Sequence, residues 1–166
     1  MPDPVTIEER TGFGLATVMA RKGAAASAVA EALGVPAIDG PYWSSHGPLA
    51  LLGSGPGSWL ALAEGPADHV GRLRAALGPL ASVSDQSGAY VIWRIGGPEA
   101  RTLLQRGAPV DLHPVAFGPG SVAITVIAHI GVVIRQLDDT PAYEVAVFRS
   151  YAASFRHWLD QAIAAL

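Results

Sequence analysis

Between Ser84 and Leu166 the chain is cut into short pieces by turn and cap residues, and that punctuation limits what it can fold into. Tyr90 to Ile95 is an apolar run with β-branched and aromatic residues, suited to the centre of a sheet. Pro98 to Arg106 follows as a short helix, with Ala100, Leu103 and Leu104 on its inner face and Gly107 at its end. Asp111 to Gly120 is a loop. Val122–Ala128 and Val132–Leu137 are strands around Gly131, and Tyr143–Phe148 is a third strand after the turn Asp138-Asp139-Thr140-Pro141. A final helix opens at Arg149-Ser150-Tyr151 and places Tyr151, Phe155, Trp158, Leu159, Ala162 and Leu166 on one broad stripe. This order, β-α-loop-β-β-β-α, spells out a compact α+β module.

The first half has the same grammar. Gly14–Met19 reads as a strand and Ala24–Leu33 as an Ala-rich helix stopped by Gly34 and Pro36. Asp39–Pro48 reads as a loop carrying Tyr42, Trp43 and His46. Leu49–Leu52 and Trp59–Ala63 form a hairpin across Gly53-Ser54-Gly55-Pro56-Gly57-Ser58, and Pro66 opens a helix striped by Val70, Leu73 and Leu77. Two halves of similar order, 1–80 and 81–166, predict an α+β chain of two ferredoxin-like α/β sandwich units in tandem.

Composition narrows the function classes. Half of the 166 residues are hydrophobic, so the chain can bury a core. Only 15% are charged, against roughly 25% in a typical soluble domain. Such a surface either exposes apolar area for a partner or reflects Ala and Gly enrichment alone. The net charge of −3, with no basic cluster, argues against nucleic-acid binding. The absence of cysteine excludes disulfides, iron–sulfur clusters and thiol catalysis. Met1-Pro2-Asp3-Pro4 lacks the pattern of a signal peptide, and Val122–Ile134 is too short to span a bilayer. A cytoplasmic protein without membrane contact is the expectation.

No motif carries chemistry. The Gly53–Ser58 loop lacks the third glycine and the following helix of a dinucleotide loop, so it reads as a turn. His46, His69, His113, His129 and His157 have no metal-ligand spacing. Asp111 and His113 read as a turn aspartate beside a restrained histidine, and Asp138-Asp139 as a solvated hairpin tip. Asp85 can cap the Ser84–Gly88 turn or orient a ligand. Of the tryptophans, Trp93 and Trp158 fall in core patterns, whereas Trp43 is a candidate for an interface. No catalytic, cofactor-binding or metal residue is assigned.

In order along the chain stand Ser84-Asp85-Gln86-Ser87, Gly97-Pro98-x-Ala100-Arg101, Asp111-Leu112-His113-Pro114-x-x-Phe117, and Arg149-Ser150-Tyr151 followed by Trp158-Leu159. Across Ser84–Leu166 this series resembles the gamma-subunit family of heterotetrameric sarcosine oxidase, and Gly55-Pro56-Gly57-Ser58-Trp59-Leu60 resembles a further family segment. The resemblance implies the folate-binding, aminomethyltransferase-like fold. It implies an assembly that demethylates sarcosine to glycine with release of hydrogen peroxide, passing the one-carbon unit to tetrahydrofolate. It also implies partners, the alpha, beta and delta subunits, on which FAD, FMN, NAD, tetrahydrofolate and zinc reside, this chain holding no cofactor. The alternative is a stand-alone folate-binding or one-carbon-transfer protein. In that case Asp85, Arg94 and Arg149 are the ligand candidates for a pterin or a glutamate tail.

Overall fold

The computed structural model describes residues 3–65 and 67–166. Ten strands and four helices alternate in the order β1 (Thr6–Glu9), β2 (Phe13–Ala20), α1 (Ala26–Leu33), β3 (Trp43–His46), β4 (Leu49–Gly55), β5 (Ser58–Glu64), α2 (His69–Leu77), β6 (Ala81–Asp85), β7 (Tyr90–Gly96), α3 (Ala100–Gln105), β8 (Val122–Ile127), β9 (Ile130–Asp138), β10 (Ala142–Phe148) and α4 (Ala152–Ala164) among the described residues. They form two compact units, one of Thr11–Gly88 and one of Met1–Arg10 with Ala89–Leu166.

The Thr11–Gly88 unit is a five-stranded sheet in the order β3-β4-β5-β2-β6, antiparallel throughout. Without β3 the chain order is β-α-β-β-α-β, the ferredoxin-like arrangement. Val18, Val29, Leu51, Trp59, Val70, Leu73 and Leu77 form the core between the sheet and its two helices. Asp68 caps α2, its Oδ1 accepting the Gly71 N–H at 2.9 Å. The expected helix start at Pro66 lies outside the described residues. Trp59 is fully buried, and its indole N–H reaches the Ile38 carbonyl at 3.0 Å, tying the loop after α1 to the sheet.

The expected loop over Asp39–Pro48 contains a strand. β3 pairs with β4 from Trp43↔Leu52 to His46↔Leu49, and Trp43 sits half-buried on it while its neighbour Tyr42 is exposed. The Gly53–Ser58 hairpin is built as the sequence predicts, with Pro56-Gly57 at its tip. Gly53 does more than turn the chain: its N–H donates to the Tyr42 carbonyl at 3.0 Å beside an irregularity in the β4–β5 register.

The second unit has the sheet order β1-β7-β10-β9-β8, again antiparallel. Here β7-α3-β9-β10-α4 supplies five of the six ferredoxin-like elements, and β1 occupies the place of the strand that would follow α4. β8 is an added edge, as β3 is in the first unit. Trp93, Ile95, Leu103, Leu104, Ile134, Tyr143, Val145, Phe155 and Leu159 fill the space between this sheet and its helices. The Trp93 and Phe155 ring centroids lie 5.2 Å apart. The α4 stripe is buried at its centre only, since Tyr151 and Leu166 at its ends are exposed.

The units therefore differ from halves divided at residue 80. β6, Ala81–Asp85, hydrogen-bonds to β2 and completes the first sheet, while β1 pairs with β7 from Thr6↔Gly96 to Glu9↔Trp93. The β8–β9 turn is likewise displaced from Gly131. It is Ala128-His129, with φ of 49° and 68°, both in the left-handed region. Two left-handed residues make the turn that matches strand twist, at a steric cost for residues bearing a Cβ.

Two stability outcomes follow from these turns. A Cβ at Gly53 would lie 2.0 Å from the Gly40 carbonyl oxygen, whereas one at Gly55 meets only Ser58 Cβ at 4.0 Å. Gly53→Ala is therefore expected to cost about 2–4 kcal/mol in urea unfolding and Gly55→Ala under about 1 kcal/mol, and equal costs would contradict the close approach. Replacing Ala128-His129 by Asn-Gly relieves the left-handed strain, and unfolding should then require about 1 kcal/mol more.

Candidate functional site

The most unusual chemistry in the chain is a carboxylate surrounded by guanidinium groups within the second unit. Glu144 lies in the middle of β10 and is 2% exposed. Its register partners are Arg94 on β7 and Arg135 on β9, so all three side chains belong to one face of the sheet. Trp93, Tyr143 and Val145 belong to the helix-covered face. Arg135 donates to Glu144 Oε2 through Nη2 at 2.5 Å and Nε at 3.0 Å. Arg10, just beyond β1, donates to Oε1 at 2.8 Å, and Arg94 to the same oxygen at 3.0 Å.

Burial pushes the Glu144 carboxyl up, but the charges and hydrogen bonds of Arg135, Arg10 and Arg94 outweigh it and hold the group below its ordinary value. Burial also lowers Arg135, with Glu144 opposing, and a guanidinium so displaced is still a cation. A carboxylate held ionised by three fixed donors is a poor proton donor, so the arrangement suits structure better than acid–base chemistry. Sequence reasoning found Arg94 but missed Glu144, Arg135 and Arg10. A single charge near the middle of each apolar strand, Arg in Ile130–Asp138 and Glu in Ala142–Phe148, was the available signal.

The three ligand candidates occupy separate local settings. Asp85 ends β6, and its Oδ1 accepts the Ser87 N–H at 2.9 Å, which closes a turn. That backbone bond and the Ser87 hydroxyl hold its carboxyl below the usual range. It borders a pocket of about 290 Å³ with Asp68, His69 and Ser87. The polar groups there are engaged within the unit: Asp68 caps α2, His69 Nε2 lies 2.9 Å from the Gly65 carbonyl, and Ser87 Oγ accepts the Leu15 N–H at 3.0 Å. Arg94 is half-exposed beside Glu144. Arg149 donates to the Tyr90 carbonyl at 3.2 Å, four residues along β7 from Arg94, or about 13 Å at ~3.3 Å per residue. Arg94 and Arg149 are thus not brought together, and Asp85 belongs to the other unit.

The Asp111–His113 loop is also spoken for. Asp111 Oδ1 accepts the His113 N–H at 2.9 Å, and His113 Nδ1 accepts the Val115 N–H at 3.3 Å. Gln105, which the sequence did not single out, holds the loop through the Val110 carbonyl at 2.8 Å and the Leu112 N–H at 3.0 Å. At the β9–β10 tip, Asp138 accepts from the Thr140 backbone N–H at 2.9 Å and from its hydroxyl, and both bonds lower its pKa. Among the described residues no three His, Cys, Asp or Glu side chains gather to hold a metal ion. Among the same residues no helix is long and apolar enough to cross a membrane.

Removing the central carboxylate should expose its role. Glu144→Gln leaves three guanidinium groups together and is expected to destabilise the chain by about 3–5 kcal/mol, whereas Arg94→Ala, at a half-exposed position, should cost under about 1 kcal/mol. The folded pKa of Glu144 is depressed, so its contribution is present above the ordinary value of 4.5 and is lost as pH falls through the lower folded value. Urea unfolding across that acid range should show a slope in the wild type that Glu144→Gln lacks. Parallel curves would refute the assignment.

The comparisons with known proteins agree with this architecture. The profile described as "Sarcosine oxidase, gamma subunit family" matches residues 18–165. The sarcosine oxidase subunit gamma of Corynebacterium sp. strain P-1 is 32% identical over 154 residues, covering 92% of this chain and 75% of its own length. A chain of the heterotetrameric sarcosine oxidase from Corynebacterium sp. U-96, solved with pyrrole 2-carboxylate, superposes with a TM-score of 0.85 at 28% identity, covering 96% of this chain and 84% of that one. The glycine cleavage system aminomethyltransferase T of Bartonella henselae superposes with a TM-score of 0.70 at 14% identity, over 93% of this chain and 45% of its own, a likeness of fold alone. With a matched span running almost the length of the chain and two ferredoxin-like units in the same fold, this protein belongs to the sarcosine oxidase gamma subunit family.

Proposed function

We propose that this chain is the gamma subunit of a heterotetrameric, cytoplasmic sarcosine oxidase and that its own part in the enzyme is architectural. The observation that carries the reading is family membership across residues 18–165 together with the TM-score of 0.85 to the heterotetrameric enzyme. On this reading the partners are the alpha, beta and delta subunits. They hold the FAD, FMN, NAD, tetrahydrofolate and zinc needed to convert sarcosine to glycine, with hydrogen peroxide released and the one-carbon unit passed to the folate. The internal engagement of the carboxylates supports the assignment, since Glu144, Asp85 and Asp138 each accept hydrogen bonds that favour the ionised form. Asp85, Arg94 and Arg149 then serve turns and strand registers rather than a ligand.

Co-expression of a tagged copy with the other subunits tests the reading. The expected result is co-elution of flavin with the tag and sarcosine-dependent peroxide production by the eluate. Recovery of the tagged chain alone, without flavoprotein, would overturn it. Tetrahydrofolate titrated into the isolated chain should release no heat, and a saturable signal lost in Arg94→Ala or Arg149→Ala would favour a folate-binding role instead.

A further inference from the structure

The two sheets present four outer strands, and three of them carry the usual devices against edge-to-edge pairing. β1 has Glu8 and Glu9 among its four residues. β6 ends in Asp85, and the Arg74 guanidinium lies over its Val83 carbonyl at 3.3–3.4 Å. β3 is the polar segment Trp-Ser-Ser-His. β8 is different, reading Val-Ala-Ile-Thr-Val-Ile with no charge and no proline.

The register decides which way its backbone points. Gln136 N donates to the Ser121 carbonyl at 3.1 Å and the Gln136 carbonyl accepts from Gly120 N at 3.4 Å, so Gln136 bonds across to the 120–121 pair as in a bulge with a left-handed Gly120. Antiparallel pairs alternate, so Ala123, Thr125 and Ile127 bond inward to β9, and the N–H and C=O groups of Ile124 and Val126 turn to the outer edge. Ile124 is 58% exposed and Val126 41%. Both ends of the strand are held, by Gly120 N to the Gln136 carbonyl at 3.4 Å and by Ala128 N to the Gly107 carbonyl at 3.2 Å. The edge is thus pre-formed, and a strand adding to it would incur little ordering cost on this side.

We propose that β8 is a docking edge at which an extended, uncharged segment of another subunit adds a sixth strand to this sheet. The occupant follows from the edge. Outward amide and carbonyl groups call for a partner backbone in extended form, and the exposed branched side chains of Ile124 and Val126 call for apolar residues at alternate positions of that partner. A charged segment would lose solvation against this row and find no counter-ion in it. The identification of the occupant with another subunit rests on the gamma-subunit reading.

Residue-resolved hydrogen–deuterium exchange on the isolated chain and on the co-expressed complex tests the proposal. The expected pattern is alternate: Ile124 and Val126 amides exchange fast in the isolated chain and at least about tenfold slower in the complex, while Thr125 is slow in both. Ile124→Pro removes an outward donor without removing a ladder bond, and Ile124→Thr removes only the apolar side chain. Loss of affinity for the other subunits should be about tenfold for Ile124→Thr and at least about a hundredfold for Ile124→Pro. Melting of each isolated variant reports whether it folds, and if Ile124→Pro does not, the wild-type exchange pattern decides. A complex in which Ile124 and Val126 exchange as in the isolated chain overturns the docking edge and leaves the subunit reading standing. Failure of the wild-type chain to join any complex overturns both. Protection of these amides in the isolated chain, with a concentration-dependent dimer mass, assigns the edge to a second copy and overturns the proposed occupant.

Discussion

A carboxylate placed in the middle of a five-stranded sheet and almost removed from water has to be satisfied by donors of opposite charge, and Glu144 draws those donors from every neighbouring direction. The consequence for register is strong. Moving β9 by one residue relative to β10 would carry Arg135 to the helix-covered face and bring the uncharged Ile134 or Gln136 opposite Glu144. The same applies to β7 through Arg94, and Arg10 ties in the segment following β1. Purely apolar strands such as Val-Val-Ile on β9 and Val-Ala-Val on β10 would pack almost as well one or two residues out of place. The ionic pairing makes those alternatives expensive, which is a gain in specificity more than in stability.

This constraint also explains why a short, polar N-terminal strand remains in the unit to which it contributes few apolar contacts. Thr6–Glu9 buries little, yet it fills the position beside β7 that a strand after α4 would otherwise take. Arg10 N donates to the Ile92 carbonyl at 2.8 Å and the Arg10 side chain ends on Glu144. At the other end, Glu99 N donates to the Pro4 carbonyl at 3.0 Å, fastening the strand to the start of α3. Residues far apart in sequence thereby close one sheet, and the chain must pass through the whole Thr11–Gly88 unit between them.

How much of this is legible in the sequence depends on whether an element declares itself by its own side chains. β7, β9 and β10 are dense in β-branched residues, and α4 carries a run of apolar positions at helical spacing, so each could be recognised alone. β1, β3 and β6 could not. Thr-Ile-Glu-Glu, Trp-Ser-Ser-His and Ala-Ser-Val-Ser-Asp have the composition of turns, and they become strands because a neighbouring strand offers an unpaired edge. The units differ from a division at residue 80 for the same reason, β6 being assigned by its partner β2 and not by its residues. Among candidate site residues, Asp85 was legible as a turn cap because its partner is two residues away. The Glu144 cluster joins positions separated by 134 and 50 residues, and no local pattern announces such a meeting.

The low charge content takes on a more definite meaning once it is placed on the fold. If it reflected Ala and Gly enrichment alone, each sheet edge would be guarded in the same way. Instead three edges carry charge or polar cover, and β8 combines an open backbone row with Ile124 and Val126. Tyr90 and Phe148, stacked at 4.7 Å with Phe148 half-exposed, add an aromatic patch at the end of the same sheet. A protein that spends its life alone is exposed to edge-to-edge association through such a strand, so leaving it unguarded is tolerable only where something else covers it. A subunit whose edge docks a partner strand, as proposed for β8, meets that condition.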